Sequence, residues 1–302
     1  MPSQAKARRA EWGECSGQSD RTGRMQQWID ARCPAVASPA LAVRTFAAEV
    51  TGMEIKGADR AAMTEQLYRA NAYARDCAAR VLAVNDRGGI VLDRTVFYAS
   101  AGGQPGDRGV IEIEGGGSCP ITTTVYEADK VTIVHVPAEG AIRPAAGQRV
   151  RAALDWDTRS KLMRMHTCLH LLCALVKFPV TGGQVGSEDG RLDFDIEDAA
   201  SVDKDALTVG LNDLIDANHP VSERWISDAE LEANPGLVRT MSVKPPMGSG
   251  RVRLVAIGEN GSVDLQPCGG THVQATGEIG RVLVSKIEKK GKLNRRIRVA
   301  FA

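Results

Sequence analysis

Asp157-Thr158-Arg159-Ser160-Lys161-Leu162-Met163-Arg164-Met165-His166-Thr167-Cys168-Leu169-His170-Leu171-Leu172-Cys173-Ala174-Leu175-Val176-Lys177 is the stretch on which the reading of this chain turns. Leu162, Met165, Leu169, Leu172 and Val176 recur at three- and four-residue spacing, so the segment is predicted to be a helix with one apolar face. Asp157 is its candidate N-cap, and Phe178-Pro179 stops it. His166 and His170, at i and i+4, share a face one turn apart. They are two of only five histidines in the chain. Such a pair is a common way to present two nitrogens to one metal ion, and buried or capping pairs at this spacing are as common. No Glu follows His166, so the metalloprotease helix signature is absent.

The residues before this helix, 63–153, read as mostly β. Apolar runs at 79–84 and 90–92 flank Asn85-Asp86-Arg87-Gly88-Gly89, which predicts a hairpin. A β-branched run lies at 131–136, and Gly115-Gly116-Gly117 marks a loop. Short strands with glycine turns point to a small barrel. Phe97-Tyr98-Ala99-Ser100-Ala101-Gly102-Gly103-Gln104-Pro105-Gly106-Asp107 reads as a glycine loop after a strand and lacks the Gly-Lys-Ser/Thr of a nucleotide P-loop.

The residues after it complete an α+β pattern. A second helix is expected over 203–217, with Leu207, Leu211, Leu214 and Ile215 on one side. Ser227 and Glu230 form a capping-box pattern before Pro235. Strands are expected at 252–257, 282–287 and 296–301, with Gly291 in the last turn. Gly182-Gly183-Gln184-Val185-Gly186-Ser187 reads as a glycine loop entering a strand. The expected fold class is therefore α+β: a small N-terminal β-barrel domain, 63–153, then an α+β domain, 154–302, with helices packed on a mainly antiparallel sheet. Residues 1–62 lack periodicity and are expected to be a disordered extension or upstream sequence from a wrongly assigned start.

Composition bounds the function. The chain has 302 residues, 43% hydrophobic and 25% charged, which is ordinary for a globular protein with a sizeable core. Aromatics are 4%, against a protein that holds single strands mainly by base stacking. No apolar stretch is long enough to span a membrane, and no secretory leader is visible, so a cytoplasmic protein is expected. Seven scattered cysteines read as reduced thiols, some of them candidate ligands. The net charge is +1, but residues 281–302 hold eight basic side chains against the single acid Glu288. That strip could neutralise phosphates, or it could be a charged, solvated edge hairpin.

The second chemical motif is Asp264-Leu265-Gln266-Pro267-Cys268-Gly269-Gly270-Thr271-His272. Pro267 and the two glycines exclude a regular helix and allow a turn that folds Cys268 and His272 toward one point. With His166 and His170 they offer three nitrogens and one sulfur, a set suited to Zn²⁺. Asp264 or Gln266 could orient the ligands from behind, and both could equally be turn residues.

Arg164-Met165-His166-Thr167-Cys168-Leu169-His170-Leu171-Leu172, followed by Gln266-Pro267-Cys268-Gly269-Gly270-Thr271-His272-Val273, resembles the editing domain of alanyl-tRNA synthetase. The segment 97–107 ahead of it resembles the freestanding AlaX family of medium length, and the likeness covers about 64–302. With no aminoacylation domain upstream, the chain is similar to a trans-editing protein rather than a synthetase. The resemblance implies hydrolysis of the aminoacyl ester of mischarged Ser-tRNA(Ala), with Gly-tRNA(Ala) as a second candidate. It implies zinc held by His166, His170, Cys268 and His272. Thr167 would lie beside the amino-acid pocket, where its hydroxyl meets that of serine, and Gln184 would be a second catalytic-pocket residue. Gly102, Gly103, Gln104 and Asp107 would line the substrate site. Ala101 replaces the first glycine of the usual triple, and Cys168 stands where alanine is common. Lys289, Lys290, Lys292, Arg295 and Arg296 are the candidate contacts to the tRNA(Ala) acceptor end. No obligate protein partner and no membrane partner are expected. The competing readings are an RNA-binding module with a structural zinc, and a metal-dependent esterase acting on small molecules.

Overall fold

The computed structural model describes residues 63–196, 202–239, 250–291 and 293–302. The expectation for 1–62 and the candidate contact Lys292 lie outside them. Six strands close into a barrel: β1 (Asp76–Val84), β2 (Ile90–Leu92), β3 (Gly109–Ile113), β4 (Ser118–Tyr126), β5 (Ile133–Pro137) and β6 (Arg149–Leu154). Their order around the barrel is β1-β2-β5-β4-β3-β6. The predicted turn joins β1 to β2, with the Asn85 side chain accepting from Gly89 N–H at 2.7 Å. Closure comes from β6, which pairs with β1 through Asp76↔Ala153 and with β3 through Gly109↔Leu154. Alternate residues point inward. Val81, Ile90, Leu92, Ile111, Cys119, Ile121 and Val150 fill the interior.

Helix α1 (Trp156–Leu175) leaves the barrel directly from β6. Its N-cap is Asp155 rather than Asp157: the Asp155 carboxylate accepts from Thr158 N–H at 3.1 Å. Asp157 falls in the first turn, where a negative charge suits the helix N-terminus. The helix stops at Leu175, two residues short of the expected end, because Val176 is already extended.

In chain order there follow β7 (Val180–Val185), β8 (Asp189–Asp195), α2 (Lys204–Asp216), β9 (Val221–Ser227), α3 (Asp228–Ala233), β10 (Arg251–Ile257), β11 (Asp264–Pro267), β12 (Val282–Lys289) and β13 (Asn294–Phe301). The order β12-β13-β8-β7 makes one antiparallel sheet, and β9-β10-β11 makes a second. The helices pack on these sheets in the expected α+β arrangement. Met165, Leu169 and Leu172 of α1 and Leu211 and Ile215 of α2 share a core with Phe194, Ile257, Val284 and Ile297. The α3 capping box of Ser227 and Glu230 forms as predicted. The 182–187 segment differs: Gly182, Gly183, Gln184 and Val185 are strand, not loop. Their pairing with β8, Gly183↔Leu192 and Gln184↔Arg191, overrides the weak strand preference of glycine. No helix among the described residues is long and apolar enough to cross a membrane.

Candidate metal centre

Two helical histidines and two residues of a turn converge. The ligand-capable atoms of His166, His170, Cys268 and His272 all lie within 4.8 Å of one another. Cys268 Sγ is 3.5 Å from His166 Nε2 and 3.3 Å from His272 Nε2. A tetrahedral zinc with Zn–S of ~2.3 Å and Zn–N of ~2.0 Å would set sulfur and nitrogen roughly 3.5 Å apart, so the donor set fits such an ion. The turn after β11 brings Cys268 and His272 in. A β-carbon at Gly270 would lie 2.2 Å from His166 Cε1, so only glycine fits there. Arg253 of β10, 6% exposed, clamps this turn by donating to Cys268 O at 2.8 Å and to Gly270 O at 2.9 Å. Its guanidinium is paired with Glu223.

Each imidazole is held at Nδ1. His166 Nδ1 lies 2.8 Å from Gln104 Oε1, and His170 Nδ1 lies 3.0 Å from Asp264 Oδ2. Both partners can only accept, so both nitrogens carry hydrogen. The Thr167 hydroxyl donates to Met163 O at 3.0 Å, which leaves its oxygen to accept from His272 Nδ1 at 3.1 Å and from Val273 N–H at 3.3 Å. The three Nε2 lone pairs are thereby left facing Cys268. Acceptors behind Nδ1 are the usual means of fixing the tautomer and direction of a metal-binding imidazole. Gln266 donates to Asp264 at 2.8 Å, so both residues that could have been mere turn formers stand behind His170.

The electrostatics agree. Burial raises the Cys268 thiol, but the imidazoles of His166 and His272 outweigh it and hold the thiol well below its usual range. Burial lowers His170, yet its bond to Asp264 and the neighbouring Cys268 raise it to about 9. Burial, aided by His166, pushes His272 well below the ordinary imidazole range. Metal binding at such a set would release protons, so its affinity would depend on pH. Cys168 is fully buried, and burial alone raises its thiol to about 12, the behaviour of an inert core residue.

The glycine loop reaches this centre through one side chain. Gln104, 1% exposed, accepts from His166 Nδ1 and from Thr271 N–H at 3.1 Å, and donates to Thr271 Oγ1 at 2.8 Å. Ala101 and Gln104 bridge across a two-residue turn in which only Gly102 and Gly103 take positive φ, 56° and 84°. Alanine is therefore tolerated at 101. Gly102, Gly103, Gln104 and Gln184 line one cleft of ≈ 630 Å³. Gln184 itself is exposed and accepts from Arg191 at 3.2 Å.

Two expected site residues are buried and hydrogen-bonded within the chain. Thr167 is fully buried, and its hydroxyl is bonded to Met163 O, His272 Nδ1 and Val273 N–H. Asp107, 2% exposed, accepts from Tyr98 N–H at 2.6 Å and pairs with the fully buried Arg159 of α1. That pair anchors the glycine loop to the helix. Arg159 and Arg253 were missed in the sequence. Their signals were a charge three residues before Leu162 on the apolar face and a charge inside the run 252–257.

Part of the basic strip is paired with acids. Arg296 forks onto Asp193 at 2.7 and 2.8 Å, and Glu288 pairs with Lys286, Lys290 and Arg298. Arg295 is 6% exposed, while Lys289 and Lys290 are exposed.

Residues 252–298 match the family described as threonyl and alanyl tRNA synthetase second additional domain, and 51–158 match class II (A) tRNA synthetases. The alanyl-tRNA editing protein AlaX-M of Methanosarcina acetivorans is 36% identical over 243 residues, covering 78% of this chain and 98% of its own. AlaX-M of Saccharolobus solfataricus is 30% identical, with the same coverage of 78% and 98%. The alanine–tRNA ligase of Pyrobaculum arsenaticum is 34% identical over 75% of this chain but only 25% of its own.

Proposed function

The chain belongs to the alanyl-tRNA editing proteins of the AlaX-M kind, and from that premise we propose that it deacylates mischarged Ser-tRNA(Ala) in trans, with Gly-tRNA(Ala) as a second candidate substrate, at a zinc site of His166, His170, Cys268 and His272. The observation that carries this reading is the convergence of three Nδ1-anchored imidazoles on one acidified thiol. An aminoacyl ester is already activated, so the site needs mainly to position ester and water and to stabilise an oxyanion. Zinc, when bound, would supply positive charge that polarises or orients the ester carbonyl.

The chain's own residues do the positioning. Gln104 both bonds to His166 and lines the cleft shared with Gly102, Gly103 and Gln184, which links the glycine loop to the ligands. We assign that cleft to the aminoacyl end. Asp107 and Thr167 act through Arg159 and His272. A site that hydrogen-bonds the serine hydroxyl leaves groups unpaired with alanine, worth ~10⁴-fold or more. Exposed Lys289 is the strip's candidate for phosphate contact, while Lys290 is paired with Glu288 and Arg296 with Asp193.

One observation favours the second reading, an RNA-binding module with structural zinc: four protein ligands close a tetrahedral ion. Deacylation of Ser-tRNA(Ala), Gly-tRNA(Ala) and Ala-tRNA(Ala) separates the two. The proposal expects rapid loss of serine with alanine spared. Tight tRNA binding with no turnover of any of the three would promote the binding module.

A further inference from the structure

Trp225 lies on edge strand β9 with 43% of its surface exposed, and the Arg251 guanidinium sits over its ring at 4.6 Å. Nothing in the proposed chemistry uses either residue. Their placement connects them to the centre. Trp225 pairs in register with Arg253 on β10, so the two side chains share a face of the β9-β10-β11 sheet. Arg253 donates to Cys268 O, and Cys268 N–H donates back to Arg253 O at 3.2 Å. Trp225, Arg253 and Cys268 therefore form one row, and two inter-strand spacings put Trp225 ~10 Å from the ligand turn. Glu223, two residues before Trp225 on the same face, is paired with Arg253.

We propose that Trp225, backed by Arg251, is a stacking platform for an unpaired base at the 3′ end of the tRNA, holding the strand whose ester enters the metal site. This rests on the proposed deacylase reading. An aminoacyl ester sits at the tip of a nucleic-acid strand, so any such substrate must lay its last nucleotides outward from the ligand turn. An exposed indole with a guanidinium over its ring offers what a base and its phosphate need, a π-face and a cation. A single platform agrees with the low aromatic content: it places an end rather than gripping a long strand.

The test is binding of two RNA hairpins, one with a single-stranded CCA 3′ overhang and one blunt, to the full chain, measured by fluorescence anisotropy. Wild type is expected to prefer the overhang by roughly ten-fold, the size of one stacked base. Trp225→Ala should erase that preference, and Trp225→Phe should retain most of it. Equal affinity of wild type for both hairpins overturns the proposal. So does an undiminished preference in Trp225→Ala. If Trp225→Ala unfolds, Arg251→Gln decides instead, with an expected several-fold loss of preference. Deacylation by wild type is scored separately. Hydrolysis with no overhang preference sinks the platform alone, and preference without hydrolysis sinks the deacylase reading alone.

Discussion

The barrel and the metal centre each bury histidine, and they treat it in opposite ways. In the barrel, fully buried His135 donates from Nδ1 to Ile90 O at 3.0 Å and accepts at Nε2 from the Thr95 hydroxyl at 2.8 Å. That hydroxyl accepts in turn from Phe97 N–H at 3.0 Å. Both ring nitrogens are satisfied by the chain, and burial, opposed by the bond to Ile90, lowers the group to about 4. At the centre, His166, His170 and His272 are satisfied at Nδ1 only, and every Nε2 is turned toward one sulfur. The difference is a rule for reading buried histidine: two internal partners make a structural residue, and one partner with a shared focus makes a ligand.

The largest effect that can break the comparison is removal of a ligand. Cys268→Ala is expected to abolish metal retention and to lower deacylation by more than the ~10–100-fold typical of a partner behind a ligand. Metal analysis and single-turnover deacylation check it, and a variant that keeps both would reduce the centre to a packed cluster. Next comes acid. His135 has a folded value below its unfolded 6.5, so its contribution is complete above pH 6.5 and is lost as pH falls toward 4. The full loss is roughly 3 kcal/mol. Urea midpoints of wild type and His135→Gln across that range read it; equal slopes for the two proteins would contradict the barrel side of the comparison.

A third effect sharpens the ligand side. Gln104→Ala, Asp264→Asn and Thr167→Val each disturb one Nδ1 partner and should weaken metal binding ~10–100-fold. Competition with a chromophoric chelator measures this. A Thr167→Val variant with unchanged metal affinity and altered amino-acid preference would instead put its hydroxyl in contact with substrate. The smallest effect concerns the basic strip. Lys289→Gln should reduce the salt slope of tRNA binding by about 1, while Arg296→Gln, already spent on Asp193, should leave it nearly unchanged.

These same residues explain what was legible in the sequence. Local signals succeeded where local chemistry decides: the 85–89 turn, the Ser227–Glu230 box and the helical histidine pair. Long-range pairing was not legible. Barrel closure depends on β6 meeting both β1 and β3, and β7 is a strand only because β8 lies beside it. In the site, the ligand set could be assembled from its two motifs, and Asp264 and Gln266 were visible as candidates. The tasks of Gln104, Asp107 and Thr167 were not, because each is defined by a partner 62, 52 or 105 residues away. Charge counting overstated the strip at 281–302, since Asp193 and Asp189 come from β8 and only the fold brings them across.

The most direct test of the central claim is X-ray absorption at the zinc edge of the purified full chain, with metal content measured on the same sample. The account predicts about one zinc per chain with one sulfur at ~2.3 Å and three nitrogens at ~2.0 Å. A folded protein that deacylates without metal, or a zinc with no sulfur neighbour, would contradict it.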